Sequence, residues 1–172
     1  TTAPSVAVLT SPVTNIATAK NLWFSDESSA TTTYGHVSGW NVAVVTSFLQ
    51  VFYNKNKVFN QDLDDWNTAS VTTLKSMFQQ SHTDYRGSIF NGKIGRWNTA
   101  SVISDGMNNM FSYSYAFNQD LSAWNVVKVS FSGNQDHWPF AGYRAGNTRE
   151  GIEFCYSCNA EPTLTSWGLH FQ

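Results

Sequence analysis

Apolar residues recur in one order along the chain, and that order predicts its elements. After Trp66, the residues Val71, Leu74, Met77 and Phe78 stand at i, i+3, i+6 and i+7, the spacing of one face of a short helix. Val45, Phe48, Val51 and Phe52 take the same places after Trp40. Leu63, Ile94 and Leu121 each stand three residues before a Trp, among polar and turn-forming neighbours, which predicts a short strand or extended turn. Upstream, Ile16, Ala19, Leu22 and Trp23 line one helical face. Ser25, followed by the acids Asp26 and Glu27, predicts the N-cap of a second helix, and Gly35 its end.

The pattern has a period. Trp-Asn opens each unit, at Trp40-Asn41, Trp66-Asn67, Trp97-Asn98 and Trp124-Asn125, with Trp intervals of 26, 31 and 27 residues. Phe-Asn stands seven residues before the last three Trp, at Phe59-Asn60, Phe90-Asn91 and Phe117-Asn118. Val51-Phe52, Met77-Phe78 and Met110-Phe111 follow the first three. A helical turn or two plus an extended segment cannot bury its apolar side alone, whereas stacked copies bury a continuous core. The fold class expected is therefore α/β: a short solenoid of about four coils with non-repeating caps, leucine-rich-repeat-like in its recurring Asn. Residues 1–39 would form a helical cap, 40–130 the solenoid and 131–172 an aromatic-rich C-terminal cap or tail.

The recurring polar and aromatic residues have two readings each. Asn60, Asn91 and Asn118, like the Asn after each Trp, suit a structural ladder, since an amide both donates and accepts; a polar ligand track is the alternative. Trp40, Trp66, Trp97 and Trp124 read as core by their fixed period, with a carbohydrate platform as the alternative. Breaks in the period are where contact residues are expected. A five-residue expansion in QQSHTDYRGSI makes His82, Asp84, Tyr85 and Arg86 the candidate partner contacts, against a solvated insertion. Two further residues are added before Met110, in ISDGMNN. The tail carries Trp138, Phe140, Tyr143, Phe154, Tyr156, Trp167 and Phe171, which either fold over the last coil or bind something.

Composition narrows the classes. Net charge is −2 and charged residues are 13%, against 15% aromatics with seven Trp. A basic surplus for nucleic acid is missing, and so is the disordered signature. No apolar run reaches the roughly 18 residues of a membrane helix, so membrane association is expected only peripherally, through partners. The Ser, Thr and Asn richness suits an extracytoplasmic protein, whether secreted, at the cell surface or in an organelle lumen. The Thr1-Thr2 start points to a processed product. There are 16 Asn but no N-x-[ST] sequon, which favours a chain without glycans.

Chemistry is sparse. Cys155 and Cys158 make one C-x-x-C, a candidate local disulfide or two free thiols, and too few ligands for structural zinc. His36, His82, His137 and His170 share no ligand spacing. Asp62, Asp64 and Asp65 cluster, and Asp62 recurs as Asp120, which suits turn anchors better than calcium. No nucleophile, phosphate-loop or zinc-protease motif is present. No catalytic, cofactor or metal residue is assigned, and a non-enzyme without cofactors is expected.

The wording FNQDLSAWN and WNTASVTTLKSMF resembles the BspA-like surface-protein repeat, closely over 59–78 and 117–125 and less so over 40–58 and 90–111. AKNLWFSDESSATTTYGHVSGWN, residues 19–41, resembles the leader of algal and protist versions. The resemblance covers about residues 15–130, departs where Phe131-Ser132-Gly133 replaces Met-Phe, and implies adhesion or protein binding without catalytic residues. The leading expectation is a non-enzymatic protein-binding or structural module presenting a repeat face to a protein partner or larger complex. The alternatives are an accessory, extrinsic and lumenal subunit of a membrane complex such as an algal photosystem, and a carbohydrate-binding cell-surface adhesin.

Overall fold

The computed structural model describes residues 11–55, 58–81, 89–114 and 116–129. Two helices come first: α1, Ile16–Ser25, and α2, Glu27–Tyr34, followed by a single 3-10 turn at Val37–Gly39. The Asn15 side chain caps α1 by accepting the Thr18 N–H at 3.1 Å. α1 buries Ile16, Ala19 and Trp23. The cap of α2 is Asp26, which accepts the Ser29 N–H at 3.0 Å, and not Ser25, which is still the last residue of α1. Gly35 ends α2 at φ 81°, a left-handed value that favours glycine.

From Trp40 onward, the described residues contain no helix and no strand, only an isolated parallel bridge between Ser47 and Thr73. The α/β solenoid expected from the periodicity is thus corrected: the repeat is built of turns, and among the described residues helices are confined to the N-terminal cap. In unit 1, opening at Trp40, the N–H of Val51, Tyr53 and Lys55 each reach back three residues, to the carbonyls of Phe48, Gln50 and Phe52. The alternate N–H groups, of Phe48, Gln50, Phe52 and Asn54, leave the unit. They donate to Thr73, Lys75, Met77 and Gln79 of unit 2 at 2.9–3.0 Å. Unit 2 repeats this, with Leu74, Ser76, Phe78 and Gln80 donating to Gly106, Asn108, Met110 and Ser112 of unit 3.

The turns have a specific form. Gln50, Asn54, Ser76, Asp105, Asn109 and Tyr113 have φ between 54° and 61°, and each is the third residue of a turn closed by an i to i+3 bond. A positive φ there is what a type II turn requires. Asp105 lies in the ISDGMNN addition, which therefore inserts one further turn. Consecutive three-residue turns reproduce the i, i+3, i+6 spacing, which is why Val71, Leu74, Met77 and Phe78 are all buried without a helix.

The core consists of ring columns. Trp40, Trp66, Trp97 and Trp124 stack at 6.1–6.2 Å, within 11° of parallel. Phe52, Phe78 and Phe111 form a second column at 5.6 and 5.7 Å. Phe59, Phe90 and Phe117 form a third at 6.0 and 5.8 Å. The two Phe columns touch at about 4 Å in each unit, with 4.0, 3.9 and 4.1 Å between centroids. Trp23 and Phe24 of α1 close the near end edge-on, against Trp40 and against Phe52 and Phe59.

Candidate interaction surface

Each recurring residue meets its neighbour unit through a specific atom. The indole N–H groups of Trp66, Trp97 and Trp124 donate to the carbonyls of Val37, Leu63 and Ile94 at 2.7, 2.7 and 3.0 Å. Each acceptor lies three residues before the preceding Trp, so the Leu/Ile-x-x-Trp spacing places that carbonyl under the next indole. Trp40, with no unit before it, donates instead to Gly35 at the end of α2. The four Trp are at most 6% exposed, so no indole face is presented to a ligand.

The two Asn series do different work. Asn41, Asn67, Asn98 and Asn125 each accept the N–H two residues on, at 3.1–3.3 Å, which is a local Asx turn. The Asn60 and Asn91 side chains bridge units, accepting the N–H of Asn91 and Asn118, both at 2.7 Å. Buried Thr68 and Thr99 donate to the Asn98 and Asn125 carbonyls of the following units at 3.0 and 2.9 Å. At the equivalent position unit 1 has Val42.

The acidic cluster is occupied. Asp62 accepts the Lys93 N–H and pairs with its ammonium, while Asp64 and Asp65 pair with Arg96. Asp120 accepts the Ser122 N–H at 2.9 Å, and that N–H, then the Ser122 hydroxyl, hold its carboxyl below the ordinary carboxylate value. Among the described residues no group of three or more His, Cys, Asp or Glu could hold a metal ion. His36 packs edge-on to Trp23, and its Nδ1 lies 2.8 Å from the Ser38 hydroxyl. His82, Asp84, Tyr85 and Arg86, the tail aromatics, and Cys155 and Cys158 lie outside the described residues.

The structure brings forward residues that the sequence reading passed over. Val44, Leu49 and Tyr53 of unit 1 are 62%, 52% and 37% exposed. Val58, Ile89, Ile103 and Val127 are exposed as well. The signal was in the units themselves: where unit 1 has Val44, Leu49 and Tyr53, unit 2 has Ser70, Lys75 and Gln79, 26 residues later. Lys20 and Lys55 were also missed. Burial, and then the Lys55 ammonium, hold the Lys20 amine below its ordinary value, and the Lys55 ammonium sits 4.8 Å over the Phe24 ring.

Stacked units with ring columns and a shared hydrogen-bond register define a repeat protein. Residues 17–135 match the family described as "Mycoplasma protein of unknown function, DUF285", and the chain belongs to that family. No curated protein and no solved structure matches it. No described helix is long and apolar enough to cross a membrane.

Proposed function

We propose that the chain is a non-enzymatic protein-binding or structural module whose stacked units present an apolar, low-charge rim to a protein partner outside the cytoplasm. The observation that carries this reading is the exposed apolar rim of unit 1, Val44, Leu49 and Tyr53, on a chain with only 13% charged residues. Covering such a rim removes apolar area from water with little charge to desolvate. The recurring Trp and Phe are engaged in stacking units, and the recurring Asn in local turns or in bridges between units, which leaves the exposed rim to vary. The finer family reading is that the units are BspA-like surface-protein repeats, on the FNQDLSAWN and WNTASVTTLKSMF wording, with the 19–41 leader of the algal and protist form.

The test is native size in a gently detergent-solubilised extract, with mass spectrometry of whatever comigrates. A defined assembly containing the chain supports the reading, and its neighbours name the partner. Migration near 19.2 kDa, the mass of the free chain, overturns it.

A further inference from the structure

The register between units has an open end. In units 2 and 3 a row of four carbonyls at two-residue spacing receives alternate N–H groups from the unit before. The corresponding row on unit 1 is Ser47, Leu49, Val51 and Tyr53, each 26 residues ahead of its unit 2 counterpart. These four carbonyls accept no hydrogen bond from a described residue. The cap meets this unit's backbone at Asn41, through the Val13 N–H at 2.9 Å, and not along the row. An unpaired backbone row is a template for another chain. Its rim is the apolar trio Val44, Leu49 and Tyr53, whereas the filled row of unit 2 is flanked by Ser70, Lys75 and Gln79.

Charge marks one end. Lys55 stands two residues past Tyr53, and Lys20 of α1 is near enough for the two ammonium groups to repel. The ion pairs among the described residues are those of Lys93 and Arg96, so neither lysine has a carboxylate there. A carboxylate brought to this end relieves that repulsion. We propose that unit 1 binds an apolar segment of a protein partner in parallel backbone register, its alternate N–H groups donating to Ser47, Leu49, Val51 and Tyr53, and an acidic residue at its C-terminal end facing Lys20 and Lys55. The mode is strand addition to an open edge, with main-chain bonds giving affinity and the rim giving selectivity. Units 1 and 2 of a second copy do not fit, because their own alternate N–H groups are already spent on the units that follow them. The inference rests on the protein-binding reading above and specifies its site.

The probe is a labelled peptide with the sequence of residues 46–54, TSFLQVFYN, the segment that fills the row of unit 2, extended at its C-terminus by two Asp or by two Lys. Fluorescence anisotropy against the full chain should show saturable binding of the Asp form, about tenfold tighter than the Lys form. Lys20→Glu with Lys55→Glu should invert that preference. Val44→Lys with Leu49→Lys should weaken binding about tenfold or more, while Ser70→Lys on unit 2 leaves it unchanged; melting curves confirm that each variant is folded. The proposal fails if neither peptide saturates, or if the Val44/Leu49 variant binds as the parent does. It also fails if that variant instead abolishes self-association in sedimentation, which makes the occupant a second copy. Binding that appears only after removal of residues 1–10 makes the occupant the chain's own start, and likewise overturns it. In the extract experiment, a Val44/Leu49 variant that still comigrates sinks the edge while the protein-binding reading stands; a parent chain that runs free sinks that reading itself.

Discussion

Units 1 and 2 share one backbone plan but differ in what lies before them. Unit 2 receives four amides from unit 1 and carries Ser70, Lys75 and Gln79 outside. Unit 1 has helices at the ends of its ring columns but an unfilled carbonyl row, and it carries Val44, Leu49 and Tyr53 outside. The same ring columns with an altered rim fit a stack held together by its columns, with outward positions free to change. The same contrast appears at one buried site: Thr68 and Thr99 donate across to the next unit, and Val42, in unit 1, has no hydroxyl to do so.

Several substitutions break or sharpen that contrast. Trp66→Ala should cost most, about 3–5 kcal/mol by denaturant titration, because Trp66 is stacked between Trp40 and Trp97 and bonded to Val37. A loss no larger than that of a surface residue would mean the columns do not carry the stack. Gly92→Ala comes next, at about 3 kcal/mol or less: a Cβ there would lie 2.0 Å from the Gln61 carbonyl oxygen and push units 1 and 2 apart. Thr68→Val should cost about 1–3 kcal/mol by leaving the Asn98 carbonyl without its hydroxyl donor. In the same titration Val42→Thr should come out near neutral, since the shared register offers its new hydroxyl the Asn67 carbonyl; a loss matching that of Thr68→Val would show that unit 1 departs from the register.

The cap should respond to pH. The Ser29 hydroxyl, then the Ser29 N–H, hold the Asp26 carboxyl below its ordinary value. Its folded-state pKa is thus lower than the unfolded one, so its contribution is full above about pH 4 and is lost as pH falls through the folded value. Melting temperature should drop over that acid window in the parent chain, and by a smaller amount in Asp26→Asn. The smallest effect is expected at the rim, where Leu49→Lys should change stability by no more than about 0.5 kcal/mol. A larger loss would show that Leu49 supports the fold of unit 1 rather than facing solvent.

Much of the arrangement is readable from the chain, and the reasons are local. A constant seven residues from Phe-Asn to Trp puts both rings at fixed places in every unit, so Phe59, Phe90 and Phe117 fall into line as Trp66, Trp97 and Trp124 do. The α1 face and the Gly35 stop follow from ordinary helix spacing and capping. The α2 cap at Asp26 rather than Ser25 shows how little distinguishes adjacent cap residues in the sequence. The division of labour between the two Asn series is not readable, because an Asx turn and a bridge between units use the same amide. The rim of unit 1 is readable only by comparing units position by position.

The order of residues alone settles the repeat, its register and which side chains recur in a column, because periodic apolar positions have no other place to go than against their copies. What the segments between the columns look like was settled by the stack. A spacing of three suits a helix and a train of turns equally, and a segment this short cannot hold a helix unaided. The neighbouring unit places carbonyls 2.6–3.0 Å from alternate amides, so those amides leave the segment and the helix never closes. Residues as unremarkable as Gln50 and Ser76 take positive φ for the same reason: their N–H bonds to the next unit outweigh a local cost of about 1–2 kcal/mol each.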